Sequence, residues 1–514
     1  MRVRLRIGAA MALAAGGCGG SDGPPSSTPL STELAIRRVV DTGGPETSVR
    51  LVRDPVSNAL YALKLGGDVL RLAVPAQGAA SVETLYRAAD TGVPSPQGLA
   101  FGPEGTLYLV GNETSGLDNF AVIRRGMRSG GDQRVWSTLA RTATYPRSNT
   151  AFDHQFNGIA VSPDGRFVYV NSGSRTDHGE VQTSGGRYPG LRETALTARI
   201  FRLPANGVEI VLPDDEAALQ GAGYVFARGV RNSFDPAFNA AGDLLSGDNS
   251  GDRDDNDELN WLREGGHYGF PWRLGTNDTP QQFPGYDPEA DRLVDHRFYA
   301  YQHGFFHDDP TYPPRPSAAF IDPIPNVGTD ANSFRDPATG LIRKASEVGR
   351  PLGTFTSHRS PLGLVFDLQN TLAGRYRGGA FILGWTRGDA AGDSVQGPFR
   401  DAGQDLLFLD LTRTAEGYQV RAQSLVCGFL NPIDAEILNG KLYVLEYGGS
   451  GTVWEITTPP AEPSGGRPCT FISRPYTRDR TRNLGALPGE CRMPRGSAER
   501  SCRTRPIPPS PRAR

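Results

Sequence analysis

An excess of charge of either sign is missing from this chain. Its 54 Lys and Arg nearly balance 56 Asp and Glu, leaving a formal net charge of −2. That gives no field to recruit nucleic acid or an anionic membrane surface. Charged residues fill only 21% of the 514 positions. Beyond the N-terminal segment, no apolar run approaches the roughly 20 residues needed to span a bilayer. Cysteine is also scarce. Of five, Cys469, Cys491 and Cys502 lie beyond Pro459 without CxxC spacing, which argues against a zinc site. Glycine, at 64, and proline, at 41, are abundant, and this profile favours many short strands joined by turns over helices.

The two ends read differently from the middle. Residues 1–18, "MRVRLRIGAAMALAAGGC", combine a basic start with a short apolar run and small residues before Cys18. This is the pattern of a secretory signal, read as lipoprotein-type with Cys18 the expected lipidation site; plain cleavage and release is the other reading. A Gly/Ser/Pro tether follows over 19–32. The chain is therefore expected to be exported, to the periplasm or cell envelope, and to meet a membrane only through a lipid anchor. Residues 459–514 are rich in Arg and Pro and have no apolar periodicity. They bury too little surface to offset ordering entropy, and disorder is expected there.

Between these ends one phrase returns. It reads "PQGLAFGPEGTLYLVGN" from Pro96, "FNGIAVSPDGRFVYVNSGS" from Phe156 and "NSFDPAFNAAGDLLSGDN" from Asn232. Looser copies begin at Ser360 and Asn431, and "SVRLVRDPVSNALYALKLGGDVLRLAV" is an earlier one. Each is an apolar strand, a Pro-Asp-Gly-like turn and a second apolar strand. Six copies predict an all-β, six-bladed β-propeller over 33–458, with an insert near 280–345. A propeller gathers its functional loops around one end of the central channel.

Three features fall on such loops. From Asp248 to Glu258 there are six acids in eleven residues; the run fails the EF-hand spacing, but a bound dication would relieve its self-repulsion. Asp248, Asp252, Asp257 and Glu258 are the candidate metal ligands, between carbonyls expected to be freed by Gly247 and Gly251. His154 stands just before a repeat strand, where Asp153 can hold one ring nitrogen and leave the other as a base; a surface histidine bonded to Asp153 is the simpler reading. Arg231 beside Asn232 can clamp an oxygen ligand or pair with the acidic loop. His358 and Arg359 precede another repeat strand. Trp385 is either an aromatic wall for a planar ligand or core packing. His296, His303 and His307 lie in an aromatic-rich part of the insert, whose spacing suggests a lid and not a metal site.

The ordered set "DHQFNGIAVSPDGRFVYVNSGS", "ARGVRNSF", "DNSGDRDDNDELNWLREGGHYGFPW" and "SHRSPLGLVFD…YRGGAFILGW" resembles the glucose/sorbosone dehydrogenase family, more its sorbosone-like branch, from about residue 90 to 457. The resemblance implies a six-bladed propeller that uses pyrroloquinoline quinone and Ca²⁺ to oxidise a sugar or related alcohol or aldehyde, with an unknown electron acceptor. It implies His154 as general base, Arg231 and Asn232 as quinone contacts, Asp248–Glu258 as the calcium segment, and Arg387 as a basic quinone contact. His358 and Trp385 join the expected cofactor-binding set. The chain departs from the glucose-type pattern at "CGFLNPIDAE", which has no arginine, and at "SGS", Ser172–Ser174. Two other classes fit a six-bladed propeller: a metal-dependent lactone hydrolase, and a non-catalytic carbohydrate- or protein-binding module.

Overall fold

In a computed structural model, residues 28–29, 34–43, 47–76, 78–349, 353–386, 399, 401 and 403–459 are described. Cys18, Arg387 and the tail from 460 lie outside the described residues.

The repeated phrase becomes the inner hairpin of each of six antiparallel sheets. The innermost strands are Ser48–Arg53, Pro96–Phe101, Phe156–Val161, Ala237–Phe238, Pro361–Phe366 and Pro432–Leu438. Neighbouring innermost strands pack around a channel, and the last packs back on the first. The chain is a six-bladed β-propeller.

The second strands, such as Leu60–Lys64, Phe167–Ser172 and Ala380–Gly384, are apolar on both faces because a blade covers each face. Each fully buried Val, Leu, Ile or Phe side chain there contributes about 1.5–3 kcal/mol. An outer strand, Ser81–Tyr86, exposes Ser81, Glu83 and Thr84 and part-buries Val82 and Leu85, as one half-open face requires. The turn glycines predicted from the phrase have positive φ: Gly105 at 78°, Gly165 at 70° and Gly440 at 75°.

The ring closes by joining the two ends of the barrel sequence. Ala35–Asp41 pairs antiparallel with Thr452–Thr457 and becomes the fourth strand of the last blade. Arg37 donates to Glu455 at 2.7 and 2.8 Å across this seam. Side chains stitch the channel wall between blades. Asp434 accepts from Leu51 N–H at 2.8 Å, Glu436 accepts from Arg53 N–H at 2.9 Å, and buried Arg50 reaches the carbonyls of Asn157 and Phe234 at 3.1 and 2.8 Å.

The expected insert is only partly an insert. Ile324 N–H bonds Leu259 O at 2.8 Å and Val327 N–H bonds Val420 O at 2.8 Å. This segment therefore bridges the short fourth blade, which has only three named strands, and the strand Tyr418–Cys427 of the fifth. No helix among the described residues is long and apolar enough to cross a membrane.

Candidate functional site

In an antiparallel hairpin the start of the first strand and the end of the second lie at the same end. His154, Arg231 and His358 precede innermost strands, while Ser172–Ser174, Asp248 and Trp385 follow second strands. All six therefore emerge at one mouth of the channel.

Gly173 marks the closest meeting point. A Cβ built there would lie 2.3 Å from His154 Cβ, 3.3 Å from Arg231 O and 3.3 Å from Asn232 Oδ1. Only glycine leaves room for that approach. Ser174 N–H bonds Arg231 O at 2.6 Å, and His154 N–H bonds Ser174 O at 3.0 Å. An amide relay backs the group: Asn171 donates to Asn157 Oδ1, and Asn157 donates to Asn232 Oδ1, both at 2.7 Å.

His154 does not use its sequence neighbour. Asp153 faces Arg147 Nε at 3.2 Å. The His154 ring is half-buried, with Nδ1 3.3 Å from both Ser174 O and Ser174 Oγ. Burial and the nearby Arg231 cation push its pKa down to about 3, which favours the neutral ring.

Arg231 is 4% exposed and pairs with a residue that the sequence did not single out. Its Nε donates to Asp177 O at 2.8 Å and its Nη2 to Asp177 Oδ1 at 2.9 Å; toward the acidic loop the guanidinium reaches Asn249 O at 3.4 Å, while the backbone N–H bonds Asp248. Asp177 also accepts from His178 Nδ1 at 2.9 Å and from Asp252 N–H at 3.0 Å. Burial works against the Asp177 charge, but the His178 bond and Arg231 outweigh it and lower its pKa. "TDHGE" occupies the loop after a second strand, the position that the acidic run holds one blade later; that phase was the available signal.

The acidic run is spread over separate partners. Asp248 accepts the N–H groups of Arg231 and Asn232. Asp252 accepts Ala300 N–H at 2.8 Å. Asp257 accepts from Ser250 and Ser360, each at 2.8 Å. Glu258 accepts from Gly275 N–H and Asn260 Nδ2, both at 2.7 Å. Gly247 sits in a paired strand, opposite Leu259, so its backbone is not freed as expected. Among the described residues no group of three or more His, Cys, Asp or Glu converges as a metal site.

Two of the four expected ligands do come together. Asp248 and Glu258 are paired across their strands and line a crevice too tight to admit a water, with Asn249 and Tyr268. Among the described residues, Asn249 Oδ1 is buried without a hydrogen-bond partner. Burial raises the pKa of Asp248 to about 7 and that of Glu258 well above its usual value, with the Asp248 charge adding to the rise of Glu258. Two carboxylates and an orphaned amide oxygen are hard donors of the kind Ca²⁺ takes, and further oxygens would have to complete its shell of about six to eight. Asp252 and Asp257 do not line that space.

His358 bonds Asp254 at 2.7 Å through Nε2, and Arg335 pairs with the other Asp254 oxygen at 2.6 Å. Burial alone lowers this imidazole, but Asp254 outweighs it and raises the pKa. The residue has φ 61°, a left-handed conformation that costs about 1–3 kcal/mol. Trp385 is 8% exposed and packs on Tyr447 at 5.0 Å within an apolar cluster that includes Leu362 and Ile433; its ring is a core element and not an open wall. The aromatic insert covers this mouth. Phe152 meets Tyr299 and Phe305 at 5.7 and 6.3 Å, and Phe306 stacks on His178 at 4.3 Å. His296, His303 and His307 are exposed.

No protein-family profile matches the chain, and no curated protein matches it in sequence. Solved structures do match in shape. The holo pyranose dehydrogenase PQQ domain from Coprinopsis cinerea superposes with a TM-score of 0.51 at 14% identity, covering 86% of this chain and 99% of that one. This chain carries the fold of that domain. The soluble aldose sugar dehydrogenase of Escherichia coli, in its apo form, follows at 0.49 and 14%, covering 83% and 99%. The PQQ-bound aldose sugar dehydrogenase of Streptomyces coelicolor stands at 0.46 and 17%, covering 84% and 99%.

Proposed function

We propose that the chain is an exported quinoprotein dehydrogenase of the glucose/sorbosone type, oxidising a sugar or related alcohol or aldehyde with pyrroloquinoline quinone and Ca²⁺. The observation that carries the reading is the convergence of His154, Arg231 and Asn232 on Gly173 at one channel mouth. The propeller shared with the dehydrogenase domain makes the same reading cheaper than an unrelated one.

When bound, the quinone supplies a two-electron hydride acceptor, and calcium polarises its carbonyl. The protein supplies the rest. His154 Nε2 has no partner among the described residues and takes the hydroxyl proton of the substrate. Arg231, held by Asp177, places a fixed cation beside the reacting oxygens. Asn232 Nδ2, unbonded among the described residues, is a further donor. Asp248, Glu258 and Asn249 Oδ1 would hold the cation. The aromatic insert excludes water.

Reconstitution tests this. Purified protein should reduce an artificial electron acceptor with an aldose only after both quinone and Ca²⁺ are added. Hydrolysis of a lactone without quinone, or neither activity across a sugar panel, overturns the proposal.

The cation has its own test. In metal-free protein Asp248 has a folded pKa of about 7, raised from 3.8 by burial. A raised pKa favours the protonated folded form. Its stabilisation is complete below the unfolded value and is lost as pH climbs through about 7. The Tm of chelator-treated protein should therefore fall between about pH 5 and about pH 8. Excess CaCl₂ should favour the ionised carboxylate and raise Tm most at the alkaline end. An identical pH slope with and without calcium removes Asp248 from the cation site.

A further inference from the structure

We propose that Ser174 is a positioning residue that fixes the single proton of His154 on Nδ1 and turns Nε2 bare toward the channel mouth. The catalytic meaning of this rests on the dehydrogenase reading; the proton assignment does not.

Counting donors and acceptors carries the inference. Nδ1 has two neighbours, Ser174 O and Ser174 Oγ, each at 3.3 Å. A carbonyl oxygen only accepts. The hydroxyl has one proton, and it is donated to Thr176 O at 2.8 Å, so Oγ also presents a lone pair to the ring. With acceptors on both sides, the Nδ1–H tautomer makes hydrogen bonds, and the alternative sets three lone pairs against one another. The proton left over in the other tautomer would be on the nitrogen needed as a base.

The ring has little freedom to escape this choice. Ser174 O also accepts the His154 backbone N–H, so one carbonyl holds both main chain and imidazole. Gly173 N–H bonds Gln155 O at 2.8 Å on the other side of His154, and Gln155 is held at φ 58°. Gly173 walls the His154 Cβ. Ser174 is itself 0% exposed and fastened to Arg231 O, so the base and the cation share one support.

The choice of serine also sets the electrostatics. A carboxylate at this place would favour the imidazolium; a neutral hydroxyl and a carbonyl orient the ring with no such pull. The charged groups acting on His154 are Arg231, which opposes its protonation, and Asp177, which favours it. Asp177 is already committed to Arg231 and His178. The site is thus built for a base that remains unprotonated in mildly acidic surroundings.

The test uses the full chain with ¹⁵N-labelled histidine, with the His154 signals assigned from their loss in His154→Gln. Long-range ¹H–¹⁵N correlations should show a pyrrole-like Nδ1 and a pyridine-like Nε2 in the native protein, with no quinone present. Ser174→Ala should shift the ring toward a tautomer mixture and lower kcat roughly tenfold with little change in KM, part of the roughly 10²–10⁴ that a positioned base supplies. Ser174→Asp should keep the tautomer and move the acid limb of the pH–rate profile upward. An Nε2–H ring in the native protein, or tautomer populations and pH profile untouched in a folded Ser174→Ala, overturns the assignment. An Nδ1–H ring in a protein without dehydrogenase activity leaves this assignment standing and removes the activity instead.

Discussion

Arg231→Met should destabilise the protein by roughly 3–5 kcal/mol, more than any single change on the exposed blades, and should abolish turnover. The guanidinium is 4% exposed and Asp177 is 0% exposed. Deleting the cation leaves a buried carboxylate with His178 as its remaining charged partner, and breaking a buried pair costs more than the pair was worth. Against a total stability of about 5–15 kcal/mol, that is a large fraction. The size follows from what else depends on Asp177: the Asp252 N–H and the His178 imidazole, and through His178 the insert residue Phe305, whose carbonyl is 3.2 Å from Nε2. The double change Arg231→Met with Asp177→Asn removes both charges and should recover much of the lost stability in a denaturant titration. It should recover no turnover. If the single and double variants are equally unstable, burial of the charge is not the cause, and the loss comes from packing against Phe152, over whose ring the guanidinium sits at 5.7 Å.

The propeller was legible because its information is local. Two apolar strands and a turn with Gly105, Gly165 or Gly440 at positive φ recur within single short stretches. The end of the channel at which His154, Arg231 and Asp248 meet was legible for the same reason: each has a fixed place in the repeat. What the repeat could not disclose was pairing between blades. Asp153 next to His154, and the acids next to Arg231, look like partners in one dimension. Asp153 turns toward Arg147, and Arg231 reaches back a blade to Asp177. The acidic run misled by its density. Six charges in eleven residues read as shared repulsion awaiting one ion, yet most have their own partner: backbone N–H groups for Asp248, Asp252 and Asp257, His358 and Arg335 for Asp254, and Arg253 for Asp255. Closure of the ring by Ala35–Asp41 was equally hidden, since the two strands of that seam are over four hundred residues apart.

His154→Gln should reduce kcat by roughly 10²–10⁴, equivalent to about 3–5.5 kcal/mol of transition-state stabilisation at 1.36 kcal/mol per decade, while the protein stays folded. Both halves follow from the environment of the ring. Glutamine can still reach Ser174, whose contacts to the imidazole are long at 3.3 Å, but it offers no basic lone pair to a substrate hydroxyl. Its effect on stability should depend on pH, and the sign is fixed. The folded pKa of His154 is lowered from 6.5 to about 3, first by burial and then by Arg231. The folded state therefore resists a proton that the unfolded chain accepts, and native stability is lost as pH falls from about 6.5 toward 3. Removing the ring removes that liability. His154→Gln should melt at or below the native temperature near neutrality and above it near about pH 4. Native kcat should show no acid limb near 6.5, because the base is unprotonated well below that value. A limb at 6.5 that vanishes in His154→Gln would mean the imidazole titrates as if in water, outside the Gly173–Ser174–Arg231 support. Full turnover in His154→Gln would take the proton transfer away from this residue altogether.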